Sequence, residues 1–580
     1  MAKKHITTLI AFFIICILGN AAIITPLSQS TLFTTIQNPT SSFTNSSTFS
    51  SFESIGKDIQ IAHAKGGLNL AITFTNNGSI PYRNIKIVIK STNGILFTPR
   101  TKDYTIPLLT PSGESSEYTI QNQLFGISIN RLKPLHITIL LNNSEDGQVI
   151  GQIYGLLIGP FIKIIESFFN EENSYQGYNL FTPEYGKNVY LMNNAGDIIH
   201  QLSTNNIQGM GTYLLDNGNI LRSDISTVNP IFPSGGVTGH VGMYDPKGYN
   251  VWDFTYSTNE YCLHHDIEPL PNGNILMIAW EYLSNQEAIA LGRNPDILTN
   301  RLLTDYLIEV KPLDGNPHYE IIWEWHVLDH IIQEYDNTKP NYGDVSEYPE
   351  RINFNYGKQD GDFTHINSID YIEEYDQIVM SVREFGEIWV IDHSTTTEEA
   401  ANHSGGTYGK GGDLLYRWGN PATYDMGTVE DQQLFGPHDA SWIKEDCPGA
   451  GNILVFNNNN PPIDESNPNL RYSSIVEIIP PHDATGAYYK IGATFGPREP
   501  TWIYYDIEEP HDFYSFHLSS AQRLPNGNTL VCEGNKGKFM EITPEKEIVW
   551  QYTNPYATPN HVFKLHRYSP DHPGIQILLD

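Results

Sequence analysis

The chain has 580 residues and a formal net charge of -32, from 66 acidic and 34 basic side chains, with 12% aromatic residues. Phosphate backbones are bound through basic faces, so this balance argues against a nucleic-acid partner. The length exceeds one ordinary domain. The four cysteines have no CxxC spacing, which predicts neither a disulfide framework nor a cysteine nucleophile.

In chain order, two lysines precede an uncharged run from Thr7 to Leu27 that contains Cys16. This reads as an export signal, with Gly19-Asn20-Ala21 offering a small-residue cleavage site. A run of that length also spans a bilayer if it is retained. Either way residues 1–27 place the body of the protein outside the cytoplasm, secreted or tethered to the outer face of the membrane. Residues 28–54 turn to Ser, Thr and Asn and read as a linker. From 55 to 168 the segments LNLAITFTNN, YRNIKIVIKS, SSEYTIQNQL and LHITILLNN are separated by Gly, Pro and Asn turns. They predict a small β-sandwich of immunoglobulin-like shape, without a cluster of chemistry-bearing side chains. Asn142-Asn143-Ser144 and Asn402-His403-Ser404 match the glycosylation pattern, which matters only in a cell that glycosylates.

Residues 169–580 carry a repeat. Its clearest copy runs from His517 to Tyr552 and reads as four short strands, with Asn526-Gly527 supplying the positive φ of a tight hairpin. Apolar and polar residues alternate at period two, so each strand has one face to bury. A meander of this size cannot build a core alone and must stack on copies of itself. The outer hairpin recurs six times, the fourth copy pairing EIWVID at Glu387 with LLYRWG and the fifth pairing SIVEIIP at Ser474 with YYKIGA. The inner hairpin precedes five of them, and the chain ends on HVFKLHRYSPDHPGIQIL, which supplies the missing half-repeat for the first. The prediction is an all-β chain whose main domain is a six-bladed β-propeller closed by its C-terminus. Cys262 and Cys447 read as loop residues and Cys532 as a strand residue. The tryptophans of the WxW and VWQY strands read as core.

The histidines recur at one place in the repeat. His265, His365, His438, His517 and His561 open the inner strands of blades three, four, five, six and one, and Met210 stands there in blade two. Inner strands line the central channel, so these imidazoles are expected to converge at one mouth, where Arg383 can join them. His264, next to His265, is expected to point away. Each histidine alone also fits a packing role, capping a loop through a neighbour such as Asp266 or Asp439. Together they read as a site, because converging titratable groups perturb one another. An arginine among imidazoles repels a metal ion and suits an oxyanion. No phosphate loop or dinucleotide motif is present. A binding or adhesion propeller on a stalk, and a metal- or quinone-dependent enzyme, are the competing readings.

HIN at His365 with SVR ending at Arg383, HHD before LPNGN, and GPHD at His438 resemble the arylsulfate sulfotransferases. These are exported six-bladed propellers with an N-terminal β-sandwich. The resemblance implies transfer of a sulfuryl group from a phenolic sulfate ester to a phenol, by a ping-pong route and without a nucleotide donor, metal or other cofactor. It implies His438 as the nucleophile that becomes sulfated. His265, His365 and Arg383 would hold the sulfuryl oxygens and assist leaving-group protonation, and Asn367 would be a further contact. His517 and His561 are expected near the rim.

Overall fold

The structure is a computed structural model. It describes residues 59–579 except 66–67, 77–80, 93–94, 111–116, 129–134, 142–147, 166, 170–172, 227–231, 233–234, 299–300, 358–360, 464–466, 468–469, 508–509 and 557–559. The expected export segment, the linker and the acceptor site at Asn142 lie outside the described residues. The chain is all-β, built of antiparallel sheets with few helices. Among the described residues no helix is long and apolar enough to cross a membrane.

The first part of the described chain forms two sheets. Ile59–Lys65, Leu70–Asn76 and Glu117–Asn122 make one, and a larger sheet includes Tyr82–Thr92, Thr101–Leu109, Leu135–Leu141 and Gln148–Gly159. Their alternating apolar faces share one core containing Ile72, Phe74, Ile87 and Ile137.

The rest contains six antiparallel sheets, five of four strands and one of five, in which Ser167–Phe169 adds to Ile548–Thr553. Their inner strands are β1 (Gln208–Leu214), β2 (Tyr261–Pro269), β3 (Ile366–Ile372), β4 (His438–Trp442), β5 (Ser520–Arg523) and β6 (Val562–Tyr568). Each contacts the next, and β6 contacts β1, so the order is cyclic. Asn-Gly turns start three of the meanders, with Gly218, Gly273 and Gly527 at φ 80, 86 and 89, where only glycine is unstrained. Between consecutive sheets lies an apolar seam, such as Trp323, Trp325, Ile366 and Trp389 between the third and fourth. Each sheet therefore buries its faces only against its neighbours.

Two expectations for the strand pairing are corrected. The C-terminus contributes one strand, β6, rather than a hairpin. β6 pairs with Tyr178–Pro183, which lies just before the first outer hairpin and supplies the second strand. PGIQILL, read as the returning strand, is a helix, Pro573–Leu579, that buries Ile575 against the first seam. In the fifth sheet the outer strand is Trp502–Tyr504, not YYKIGA. Lys490–Ile491 folds back on Thr494–Phe495 instead, because Tyr488 and Phe495 pack on Tyr416 of the preceding sheet. Cys262 lies in β2 rather than in a loop. All three described cysteines are free and buried, and burial pushes the Cys262 and Cys447 thiols up to about 11 and about 12.

Each inner strand ends its sheet, and side chains from the preceding sheet accept from several of their free N–H groups. Asp305 accepts from Ile366 N at 2.7 Å, Asp370 from Trp442 N at 2.7 Å, and Asp439 from Ala521 N at 2.8 Å. Asp266 accepts from Ile369 N at 3.2 Å. Asp266 and Asp439 thus tie sheet to sheet rather than cap the histidines beside them. Lys564 of β6 lies 2.6 Å from Asp266 and 2.7 Å from Asp439.

Candidate functional site

The regular pairing of the inner strands breaks where the histidines stand. Register shifts fall between Leu263 and Ile267, Ile366 and Ser368, and His438 and Ser441. His265 and His365 take φ of 50 and 51, and Asp439 takes 53. Left-handed backbone at a non-glycine residue is costly and persists where the surroundings fix it. Bulges of this kind re-aim side chains out of the sheet. Gly236 contributes too, because a Cβ there would stand 2.0 Å from the His265 ring.

The result is one pocket of about 510 Å³, lined among others by Met210, His265, His365, Arg383, His438 and His517. That size suits a small aromatic molecule. His561 stands at its edge, its Nδ1 3.2 Å from the lining residue Glu184 and its ring 5.7 Å from that of His517. His264 stacks on Trp280 at 3.8 Å, away from the pocket. Asn367 is not in the lining. It is fully buried, and its amide holds the Pro437 carbonyl at 2.9 Å, behind His438. Arg301, Asp362 and Glu384 also line the pocket and had no signal in the repeat, since they sit in loops or follow a strand end.

The hydrogen bonds assign protons. Asn458 donates to the Ser515 and Leu518 carbonyls at 2.8 and 3.0 Å. Its oxygen therefore faces His438 Nδ1, at 2.8 Å, and that nitrogen carries the hydrogen. Leu518 N–H donates to His438 Nε2 at 3.2 Å, so Nε2 carries no hydrogen and its lone pair accepts from that amide. Burial first, then Arg383, holds His438 well below the ordinary imidazole range. Asn535 accepts at its oxygen from His517 N at 3.1 Å and Ser515 Oγ at 2.9 Å, so its amide nitrogen faces His517 Nδ1, at 2.7 Å. His517 is thus a neutral ring with its N–H on Nε2, and burial brings it down to about 4.

His365 behaves in the opposite way. Burial pulls its pKa down, but Asp362, 2.7 Å from Nδ1, more than offsets this and the net shift is upward. His265 is held well below the usual range, by burial first and then by His365. Its Nδ1 lies 2.8 Å from His264 Nδ1, and His264 Nε2 lies 3.0 Å from Asp305. With His264 neutral, His265 offers the pocket a lone pair; with His264 protonated, it offers an N–H. Arg383 is paired with Glu384 and remains partly open to the pocket. Glu184, His517 and His561 bring three donor atoms within 4.8 Å of one another. Arg383 acts on His517 against positive charge, which disfavours a cation there.

An imidazole nitrogen without a hydrogen, an imidazole whose protonated form is favoured, and a guanidinium thus face one cavity. The arylsulfotransferase (ASST) family profile matches residues 167–567. The chain belongs to the arylsulfotransferase family. The match spans the inner strands up to Arg567 and every residue named in the pocket, and membership of this family supports sulfuryl-transfer activity in the broad sense, with aryl sulfates and phenols as the substrates it implies. No curated protein matches the chain. Similar solved structures include a Bacteroides caccae protein of unknown function, at 11% identity and TM-score 0.36, covering 68% of this chain and 99% of that one. A putative 6-phosphogluconolactonase from Bacteroides fragilis has 7% identity and TM-score 0.30, covering 85% and 99%. A catalytically inactive virginiamycin B lyase from Staphylococcus aureus has 11% identity and TM-score 0.29, covering 67% and 87%. Likenesses at this level say nothing about shared chemistry.

Proposed function

We propose that this arylsulfotransferase moves a sulfuryl group from a phenolic sulfate ester to a phenol in two displacements through a sulfated His438. The observation that carries the reading is that His438 Nε2 has no hydrogen, because Asn458 holds the ring's proton on the far nitrogen. In the first displacement Nε2 gives up the hydrogen bond from Leu518 N–H and attacks sulfur, the sulfur–oxygen bond to the aryl group breaks, and the departing phenolate takes a proton from protonated His365. In the second, the acceptor phenol attacks the same sulfur, returns a proton to His365, and restores neutral His438. Arg383 and His517 Nε2–H are donors for the sulfuryl oxygens, where negative charge gathers in the transition state. His265 faces His365, with ring centroids 4.7 Å apart, and supports its proton exchange. Asn367 acts through the Pro437 backbone rather than by touching substrate.

The six cyclic sheets are read as the blades of a six-bladed propeller, and the two N-terminal sheets as an immunoglobulin-like sandwich. Export by residues 1–27, followed by a tether at 28–54, would set the pocket outside the cytoplasm, where nucleotide donors are scarce and a nucleotide-free route is useful. The test is transfer from 4-nitrophenyl sulfate to phenol in buffer without nucleotide. Initial rates should give parallel double-reciprocal lines, and His438→Asn should lower kcat at least 10³-fold with an unchanged melting temperature. Intersecting lines, or an active His438→Asn enzyme, would overturn the two-step route.

A further inference from the structure

Away from the pocket, on the outer side of the third and fourth sheets, three segments bring donor atoms together. His330 ends the short turn Val327–His330 that follows the strand Tyr319–His326. His403 and Asp413 belong to the long loop between the strands Glu387–Asp392 and Tyr416–Trp418. Nδ1 of His330 and Nδ1 of His403 lie 2.9 and 2.7 Å from the same oxygen of Asp413, and the three donor atoms are all within 4.8 Å of one another.

The protons decide what this cluster is for. His330 Nε2 lies 2.8 Å from the Ala400 carbonyl. A carbonyl only accepts, so Nε2 carries a hydrogen, and in the neutral ring Nδ1 is then a lone pair. That lone pair faces a carboxylate oxygen, which is also only an acceptor when ionised. Two acceptors at this separation need a shared proton or a cation between them. An imidazole whose outer N–H is held by a backbone carbonyl is how metal-binding histidines are oriented.

The surroundings fix this orientation. Trp325 lies flat on His330 at 5.6 Å and donates to the Gly412 carbonyl at 2.8 Å. A Cβ on Gly412 would stand 2.1 Å from the Ala400 oxygen and 2.6 Å from His330 Nε2, so only glycine lets ring and carbonyl meet. His330 and Asp413 are buried, whereas His403 is 45% exposed. The cluster thus has one side open to solvent.

We propose that His330, His403 and Asp413 form a divalent-metal site, with zinc as the ion the donor set suits best. Two imidazole nitrogens and one carboxylate oxygen match zinc, and a water on the open side completes four ligands. The ion pins the loop 393–415 to the preceding sheet. It takes no part in the pocket chemistry, and the proposal stands whether or not sulfuryl transfer is the activity.

The experiment uses the full chain without a histidine tag, stripped with a chelator, dialysed, and reloaded with zinc chloride, with calcium and magnesium chloride as comparators. About one zinc per chain should survive gel filtration, and zinc alone should raise the melting temperature by about 5 °C. His403→Ala, altered on the exposed side and so expected to fold, should lose both the metal and the rise. His561→Ala should keep both, which separates this cluster from the three donors at the pocket edge. Failure of the wild type to retain zinc, or equal retention by His403→Ala, would overturn the site and leave a hydrogen-bonded cluster on Asp413.

Discussion

Asn458 can offer His438 only its oxygen, because its nitrogen is committed to the Ser515 and Leu518 carbonyls, and this one amide sets which end of the imidazole reacts. Its effect has a pH signature. His438 is depressed well below the ordinary imidazole value, so its reactive neutral form is present at neutral pH and is lost only as pH falls through that lowered pKa. His365 is raised, so its acid form persists above the ordinary value and is lost as pH rises through the raised pKa. The pH–rate profile of kcat/KM should therefore be bell-shaped, with a plateau spanning about pH 6.5. Asn458→Asp places a carboxylate where an amide stood and stabilises the imidazolium of His438, so the acid limb should move up by about 1–2 units. Asp362→Asn should move the basic limb down. Limbs that stay in place in both variants would contradict these proton assignments.

Among the elements, the inner strands carry both the ring and the site, and β6 joins the two. Lys564 is buried between Asp266 and Asp439, each the next residue after a pocket histidine, and their charges raise its pKa against the effect of burial. Lys564→Met would leave two carboxylates facing each other without a cation. Denaturant titration should show a loss of about 3–5 kcal/mol; a loss under about 1 kcal/mol would mean the clamp contributes little. The repeat was legible in the sequence because its signals are local: Asn-Gly turns, period-two alternation, and a histidine in a fixed place. The fifth sheet was misread because the choice of outer strand depends on Tyr416, a residue of another sheet. The helix Pro573–Leu579 was misread because GIQIL has an apolar pattern too short to separate helix from strand. Asn458 and Asn535 were invisible for a different reason. A run such as Asn457-Asn458-Asn459-Asn460 reads as a turn, and only the fold shows one amide turned toward His438.

At the scale of the molecule, the cyclic order of six sheets is completed by one strand from the far end of the chain, so the ring closes by hydrogen bonds between Tyr178–Pro183 and β6. Deleting residues 560–580 exposes the edge of Tyr178–Pro183 and removes Lys564 and Arg567 as well. The shortened chain should lose its cooperative melting transition altogether; a transition displaced by only a few degrees would show that the ring does not depend on closure. The central claim is chemical, that His438 carries the sulfuryl group between donor and acceptor. It is tested most directly by mixing the enzyme with 4-nitrophenyl sulfate in the absence of any phenol acceptor, digesting at alkaline pH, and mapping the peptides by mass spectrometry. The account predicts one added sulfuryl group on the peptide containing His438, formed with a stoichiometric burst of 4-nitrophenol and released by acid or by added phenol. A burst with no labelled histidine, or the label on His365, would contradict it.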